Sequence, residues 1–270
     1  MLITIDEDKD MKLGFIGMGN MAQALCGGFV SSGKISKENV YAYAPTYDKL
    51  AKNAEVFGFN PCKDIVSMVK DCDTIVMACK PYQIESVLNE VKDLLKGKAL
   101  VSVAAGWTYD KYMGYLDSSV RVQFVMPNTP AMIGEGVLLF ENKNSLLPEE
   151  RDVIIELFAA TGKVVELPTN LMGIGGAVSG CGPAFVDLFI ESYADAAVKY
   201  GIPRKTAYEM VSQTILGSAK LQLDTGLHPG VLKDNVCSPQ GTTICGVAAL
   251  EKAGFRNACI ESIDAIMNKK

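Results

Sequence analysis

The stretch KLGFIGMGNMAQAL, residues 12–25, decides the fold, because it predicts a short buried strand that runs through a glycine turn into a helix. Its centre, GMGNMA at residues 17–22, fits the G-x-G-x-x-G/A form of a dinucleotide-binding fingerprint. Gly17 permits the tight turn, Gly19 lets the backbone approach a pyrophosphate, and Ala22 allows the helix to pack on the strand. Glycine turns also close ordinary strand–helix units. The flanking strand and amphipathic helix nevertheless favour nucleotide binding at the helix N-terminus.

The composition is that of a soluble globular protein, with 49% hydrophobic and 21% charged residues in 270. The net charge of -5 offers no basic surface for nucleic acid, so we expect small-molecule chemistry and no nucleic-acid partner. No uninterrupted apolar run reaches the roughly 18 residues of a membrane-spanning helix. The first ten residues, MLITIDEDKD, lack the features of a secretory or transit signal. We therefore predict an acidic leader over residues 1–10, a cytoplasmic location and no membrane association.

The eight cysteines do not predict a metal site, because no C-x-x-C pair occurs and the chain has one histidine. In a cytosolic chain most of them would be reduced core residues. Cys181 and Cys237 lie in turns rich in glycine and proline and would be the more reactive ones. A catalytic thiol would need His228 as its base, and we rank this hypothesis below a structural role.

Strand-like and helix-like segments alternate from residue 11 to about residue 168, which predicts a doubly wound, mostly parallel sheet of Rossmann type. Central strands such as TIVMA at residues 74–78 are apolar on both faces, as a sheet covered by helices requires. Further strands are predicted at residues 40–44, 100–104, 120–126, 137–140 and 164–167, and helices at 47–57, 84–95 and 149–160.

Residues 169–270 predict an all-helical domain that binds substrate and forms dimers. The predicted helices are residues 182–200, 203–224, 241–253 and 255–268. The first is apolar nearly all round, and so small a domain offers little to bury it against, so a second copy of the chain is the expected partner. A narrow charged stripe on this helix is either a solvated face or a cleft wall; it consists of Asp187, Glu191, Asp195 and Lys199.

Three turns are expected at the carboxyl ends of the strands, where ligands of open parallel sheets bind. The first is the glycine turn. The second, Cys79-Lys80-Pro81, places a lysine where cofactor phosphate or ribose would pass, although this lysine could equally be a solvated loop residue. The third, Ala104-Ala105-Gly106, has small side chains that would let a flat nicotinamide approach the backbone, or that merely serve packing.

The second strand ends in AYAPT, residues 42–46, without the acidic residue that usually binds the ribose 2'-hydroxyl of NAD. This absence disfavours strict use of NAD and also a methyltransferase. Thr46 and Lys49 would instead meet a 2'-phosphate. We expect NADPH as the cofactor, with NADH possible.

The segment VCSPQGTT, residues 236–243, predicts a helix start with Ser238 as the cap and Pro239 in the first turn. Free N–H groups and the hydroxyls of Thr242 and Thr243 would suit a small carboxylate. A plain helix cap without a ligand is the alternative.

Two C-terminal segments resemble the pyrroline-5-carboxylate reductase family. VSGCGPAF at residues 178–185 resembles its SGSGPAY segment, and LKDNVCSPQGTTICGVAALEKAGFR at residues 232–256 resembles its D-x-V-x-SPGGTT-x-x-GL-x-x-LE-x-x-G-x-R signature. The resemblance implies NAD(P)H-dependent reduction of 1-pyrroline-5-carboxylate to L-proline, the last step of proline biosynthesis. It also implies dimers entwined through the helical domain that assemble into rings. Cys181, Phe185 and Gln240 depart from the family's serine, tyrosine and glycine, and Gln240 would be strained if the family's glycine needs a positive φ.

Carried over residue by residue, the resemblance also implies the site. The substrate would contact Ser238, Gly241, Thr242 and Thr243, with the Thr243 hydroxyl bonded to the ring nitrogen as the catalytic contact. The cofactor residues inferred from the motifs and the family together are Gly17, Met18, Gly19, Asn20, Met21, Thr46, Ala78, Lys80, Pro81, Ala104, Ala105 and Gly106.

Two other functions remain open from the sequence. A β-hydroxyacid dehydrogenase shares the predicted domain order, but its G-x-G-x-x-x-K pattern would place the catalytic lysine at Val186, which we expect to be a buried valine. A non-catalytic nucleotide sensor would keep the fold and lose turnover.

Overall fold

The computed structural model describes residues 11–269, so the predicted acidic leader, residues 1–10, lies outside the described residues. The described chain contains an eight-stranded sheet and helices on both of its faces. The strands are β1 (Leu13–Ile16), β2 (Val40–Tyr43), β3 (Asn60–Cys62), β4 (Thr74–Met77), β5 (Ala99–Ser102), β6 (Arg121–Met126), β7 (Gly136–Glu141) and β8 (Gly162–Leu167). The helices are α1 (Asn20–Ser31), α2 (Tyr47–Phe57), α3 (Ile65–Asp71), α4 (Ile84–Val91), α5 (Tyr109–Met113), α6 (Pro148–Ala159), α7 (Met172–Ser179), α8 (Gly182–Lys199), α9 (Arg204–Thr225), α10 (Pro229–Asn235), α11 (Thr242–Lys252) and α12 (Phe255–Met267).

The strand order is β3-β2-β1-β4-β5-β6-β7-β8, and every neighbouring pair is parallel except β6 with β7. The predicted doubly wound, mostly parallel sheet is therefore confirmed. The antiparallel pair has a simple cause, because residues 127–135 are too few for the crossover of about a dozen residues that a parallel neighbour needs. The strand order reverses between β1 and β4, so their carboxyl ends open a crevice at this edge of the sheet.

The core lies on the two faces of this sheet. Strands β1, β4 and β5 are buried along their whole length, as expected for strands covered by helices on both sides. On one face Phe29 of α1 packs against Phe15 and Phe158, with ring centroids 6.3 and 5.1 Å apart. On the other face lie Trp107 and Tyr112, which are nearly completely buried. Burial of each such ring contributes roughly 1.5 to 3 kcal/mol to the free energy of unfolding, so packing on the two faces of the sheet stabilises this part of the chain.

The chain divides into two compact units after Cys181. Helix α7 belongs to the first unit, because its glycines let the helix backbone approach the sheet. A Cβ at Gly175 would lie 2.8 Å from Leu139, and one at Gly176 would lie 2.4 Å from Met126. The predicted domain boundary at residue 168 remains a prediction. The sequence pattern did not predict five short elements, namely β3, α3, α5, α7 and α10.

The second unit buries almost nothing within itself. Among residues 182–269 only Ala194 and Ala207 are buried, whereas Leu188 is 61% exposed and Tyr193 is 42% exposed. Val186, which we expected to be buried, is 43% exposed within the single chain. Helices with this much uncovered apolar surface need a partner, in agreement with the expected pairing of two copies.

The charged stripe of α8 is solvated at its C-terminal end. There Asp195 accepts a hydrogen bond of 2.5 Å from Arg204 at the start of α9, and both side chains remain largely exposed. By length and composition alone, the helical stretch Thr169–Lys199 would also be long enough to cross a membrane. It consists of a 3-10 turn at Thr169–Leu171 followed by α7 and α8, which residues 180–181 separate. Apolar composition is equally expected of a subunit interface.

We predict that the protein is at least a dimer at micromolar concentration and that Leu188→Glu shifts it toward the monomer. The exchange puts a charge at a contact that must be desolvated on association. Light scattering measures the mass, and Val56→Glu serves as the control, because Val56 of α2 is 74% exposed in the first unit. A wild-type monomer would contradict the prediction.

Candidate cofactor pocket and substrate loop

The turn between β1 and α1 is built around Gly17. Its φ is 97°, a conformation that favours glycine, and its N–H donates to the carbonyl of Tyr43 at 2.8 Å. A Cβ at Gly17 would lie 2.8 Å from the backbone of Ala78 and Cys79, which follow β4. Only glycine therefore fits between the ends of β1, β2 and β4.

Gly19 has the opposite surroundings. It is the N-cap of α1 with a φ of -80°, and a Cβ added there would meet nothing within 4 Å. Within residues 11–269 no side chain caps this helix, and its first turn carries no acidic residue. Gln23 lies one turn further along and donates to the carbonyl of Met18 at 2.9 Å, which orders the turn. The first N–H groups of α1 thus have no side-chain acceptor within the described chain, and the space beside Gly19 is open, as an anion site requires.

A cavity of about 300 Å³ lies where β1, β2 and β4 end. The described residues that line it include two lysines, Lys49 and Lys80, and no carboxylate, so its electrostatic character suits an anionic ligand. The lining residues are Ile16, Gly17, Met18, Gly19, Tyr43, Ala44, Pro45, Thr46, Lys49, Leu50, Asn53, Ala78, Cys79, Lys80, Gln83 and Val87.

The segment after β2 forms one wall of the cavity. Thr46 is the N-cap of α2, but its side chain makes no capping hydrogen bond, so the hydroxyl is not committed to the helix. Lys49 and Asn53 follow on α2 at four-residue spacing and therefore share a helix face. The sequence pattern did not predict Asn53 as a site residue, although its four-residue spacing from Lys49 places it on the same helix face.

The segment after β4 forms the opposite wall. The backbone N–H of Gln83 donates to the carbonyl of Lys80 at 2.9 Å and closes a 3-10 turn over Pro81–Gln83, and the N–H of Lys80 in return donates to Oε1 of Gln83 at 3.1 Å. Gln83 was not predicted, because its role comes from this local bond. Burial raises the pKa of the Cys79 thiol to about 11, so the thiol is neutral near pH 7 and adds no negative charge to the cavity.

Several predicted cofactor residues do not line this cavity. The turn Ala104-Ala105-Gly106 follows β5, the strand next to β4, and lies further along the same edge of the sheet. Ala104 is 4% exposed, whereas Gly106 is exposed with a φ of 75° and free space around its Cβ position. The other predicted residues that are not among the lining residues are Asn20, Met21 and Pro81.

The substrate loop differs from its predicted form. The N–H of Gly241 donates to the carbonyl of Ser238 at 3.0 Å, which closes a four-residue turn ahead of α11. Gly241, and not Ser238, is the N-cap, and Pro239 lies in the turn and not in the first helical turn. Proline at the second position and a positive φ at the third are the pattern of a type II turn. Ser238 and Pro239, which the sequence predicted at the helix start, therefore belong to this turn.

Gln240 occupies the third position of that turn with a φ of 60°, the one non-glycine residue with positive φ in the described chain. This position does need a positive φ, so the Gln240 backbone is strained, as expected where the family has glycine. The left-handed conformation costs a non-glycine residue roughly 1 kcal/mol. Gly241 is confined for a different reason, since a Cβ there would lie 2.4 Å from Oγ of Ser238. Thr242 and Thr243 are the first two residues of α11, as predicted, and both are exposed in the single chain.

The single histidine caps a helix. Nδ1 of His228 accepts a hydrogen bond of 3.0 Å from the N–H of Gly230 at the start of α10. This ring nitrogen carries a lone pair that is committed to the backbone, which argues against His228 as the base of a catalytic thiol.

Comparison with known proteins places the chain in a family. A family model described as pyrroline-5-carboxylate reductase dimerisation matches residues 169–270, and one described as NADP oxidoreductase, coenzyme F420-dependent, matches residues 12–106. Pyrroline-5-carboxylate reductase of Escherichia coli is 39% identical over 96% of this chain and 97% of the relative. The chain belongs to the pyrroline-5-carboxylate reductase family.

Further members of the family support the same assignment. The enzyme of Arabidopsis thaliana is 36% identical over 95% of this chain and 93% of its own length. The crystal structure of Plasmodium falciparum pyrroline carboxylate reductase with NADP bound matches with a TM-score of 0.86 at 35% identity, over 95% of each chain. Membership of this family identifies the chain as an NAD(P)H-dependent oxidoreductase and decides against the β-hydroxyacid dehydrogenase.

The two glycines of the first turn predict different phenotypes. The Cβ of Gly19→Val meets nothing within 4 Å, so we expect nearly unchanged thermal stability and a KM for NAD(P)H raised at least about tenfold, with the KM for the imine unchanged. Gly17→Ala forces an unfavourable φ and a backbone clash, so it should lower the melting temperature. If neither KM changes in Gly19→Val, this turn is purely structural.

Proposed function

We propose that this chain catalyses the NAD(P)H-dependent reduction of 1-pyrroline-5-carboxylate to L-proline, the last step of proline biosynthesis. The observation that carries the proposal is that similarity to pyrroline-5-carboxylate reductases covers nearly the whole chain. It includes both the glycine turn beside the anion-suited cavity and the loop at residues 238–243.

The cofactor is held by the ends of β1, β2, β4 and β5. The N–H groups of Asn20 and Met21 bind the pyrophosphate at the start of α1, where Gly19 leaves room for it. Lys80 adds positive charge from the opposite wall of the cavity, and the backbone of Ala78, Pro81 and Ala104–Gly106 continues the site along the sheet edge.

NADPH is the preferred reduced cofactor. Residues 44–46, directly after β2, include no acidic residue that would bind a ribose 2'-hydroxyl, and Asp48 is not among the cavity-lining residues, whereas Thr46 and Lys49 line the cavity there. A 2'-phosphate would accept a hydrogen bond from the uncommitted Thr46 hydroxyl and pair with the Lys49 ammonium group.

The substrate binds at the N-terminus of α11. No acidic residue lies in its first turn, so the free N–H groups at the start of α11, with the hydroxyls of Ser238 and Thr242, hold the carboxylate. The close packing of Gly241 on Ser238 fixes the loop in this shape. The Thr243 hydroxyl forms a hydrogen bond with the ring nitrogen and sets the orientation of the ring.

The chemistry demands little beyond position. Protonation of the ring nitrogen turns the cyclic imine into an iminium ion, which is a strong hydride acceptor. When bound, NAD(P)H supplies the hydride that adds to the imine carbon, so the C=N bond becomes a C–N single bond and L-proline and NAD(P)⁺ form. The residues of the chain orient the ring and neutralise the carboxylate, and a dedicated general acid is unnecessary.

The quaternary structure and location complete the proposal. The dimerisation region and the uncovered apolar helices support a dimer, and rings of such dimers are the further assembly that we propose. We propose residues 169–270 as the substrate-binding and dimerisation domain, which is the extent of the matching family model. The cytoplasm is the proposed location, supported by eight cysteines that are all free thiols.

The reductase assay tests the function. Full-length protein should oxidise NADPH in the presence of 1-pyrroline-5-carboxylate and form L-proline in equal amount, with a lower rate or higher KM with NADH. A nucleotide sensor would bind NADPH without turnover, and that result would overturn the proposal.

Thr243→Val should lower kcat/KM for the imine by roughly 10- to 150-fold, because a hydrogen bond to a charged group contributes roughly 1.5 to 3 kcal/mol. The shape of the side chain is kept, so thermal stability and the KM for NADPH should not change. Thr242→Val is the comparison variant on the same helix turn and should cost less, because the backbone N–H groups and Ser238 still hold the carboxylate. Full activity of Thr243→Val would mean that another group contacts the ring nitrogen.

Lys49→Gln should raise the KM for NADPH by roughly threefold to tenfold and leave the KM for NADH unchanged, because only NADPH carries the 2'-phosphate. The effect is moderated by solvent, since Lys49 is exposed. Lys52→Gln is the matched control, as Lys52 lies on α2 but does not line the cavity. An equal change for both cofactors would place Lys49 elsewhere in the site.

A further inference from the structure

Trp107, the single tryptophan of the chain, follows directly on the turn after β5 and is 2% exposed. Its indole Nε1–H donates a hydrogen bond of 3.1 Å to the carbonyl of Pro81. Pro81 belongs to the turn after β4. This bond therefore joins the two neighbouring turns at the ligand-binding edge of the sheet, where the backbone ladder between β4 and β5 has already ended.

The indole ring is fixed by two tyrosines. The ring centroid of Tyr112 lies 5.0 Å from that of Trp107, and the ring of Tyr115 lies 5.4 Å from it. The Tyr112 hydroxyl bonds to Oγ of Ser102 at 2.9 Å, which ties the group to the end of β5. We call Trp107, Tyr112 and Tyr115 the aromatic clamp.

The clamp also reaches the helix that follows Pro81. The Tyr115 hydroxyl donates to Oε1 of Glu85 on α4 at 2.8 Å. Pro81–Gln83 is the 3-10 turn that leads into α4, so this segment is held at its first residue by Trp107 and one turn later by Tyr115. Lys80 and Gln83, at the two ends of this turn, line the cavity, so the positions of their side chains depend on the position of the turn.

We propose that Trp107, through the aromatic clamp, is a positioning residue for the nicotinamide cofactor. It sets the distance between the turn after β4, which contributes Lys80, and the turn after β5, which begins at Ala104. The inference rests on the proposed function, because these turns are assigned to the cofactor there. Trp107 itself is buried and acts through the Pro81 carbonyl and through its own backbone, whose N–H donates to the carbonyl of Ala104 at 3.1 Å.

Trp107→Phe tests the positioning role in the full-length enzyme, because it keeps an aromatic ring and removes the N–H group. We expect the KM for NADPH to rise by about threefold to tenfold, the change that follows from loss of one neutral hydrogen bond, while kcat and the KM for 1-pyrroline-5-carboxylate stay the same. A merely structural role would lower the melting temperature and the active fraction, and so kcat, without changing the KM for one substrate. Tyr109→Phe is the matched control on α5, since the Tyr109 hydroxyl forms no hydrogen bond within residues 11–269.

Tyr115→Phe provides a second test that does not depend on Trp107→Phe folding. The variant keeps Trp107, whose emission is the only tryptophan fluorescence of the protein, so titration with NADPH measures the Kd directly by quenching. We expect a Kd above that of the wild type by about twofold to tenfold. An active wild type with an unchanged Kd for Tyr115→Phe and an unchanged KM for Trp107→Phe would overturn the inference alone. A wild type that neither binds NADPH nor turns over would overturn the proposed function itself.

Discussion

The close approach of Gly17 to the backbone of Ala78 and Cys79 is the constraint on which the cofactor site depends. A Cβ at position 17 would lie only 2.8 Å from that backbone. Because glycine has no Cβ, the end of β1 can lie directly against the residues that follow β4. Gly19 and Lys80 then line one cavity, and α1 starts directly after Gly19. A larger residue at this one position would separate the strands that the sheet must join.

The two units of the chain reach stability in different ways. The first buries a core on both faces of a sheet, so it has the apolar contacts of an independent domain. The second leaves the apolar faces of its helices uncovered within the chain, and burial of that surface has to come from association. Folding of the helical unit and formation of the dimer are therefore linked, and the proposed substrate loop, which belongs to this unit, depends on both.

The periodicity of the sequence predicted the strands and long helices well, because strands with two buried faces and apolar helices leave clear signals. It could not predict the direction of β7, which follows from the length of a connection, or helix α7, whose glycines conceal its packing on the sheet. In the site, glycine spacing predicted the first turn. Ser238 and Pro239 predicted a helix start but form a turn, because serine and proline are common in turns as well as at helix N-termini. Gln83 and Trp107 form hydrogen bonds with residues brought close by a local turn or by neighbouring strands, and single-sequence patterns carry no signal for such contacts.

The most direct test of the cofactor site is a crystal structure of the full-length protein with NADP⁺. We expect the pyrophosphate at the N-terminus of α1, within hydrogen-bond distance of the Asn20 and Met21 amides, with the 2'-phosphate beside Thr46 and Lys49. A pyrophosphate bound away from α1, with the cavity between β1 and β4 left empty, would contradict it.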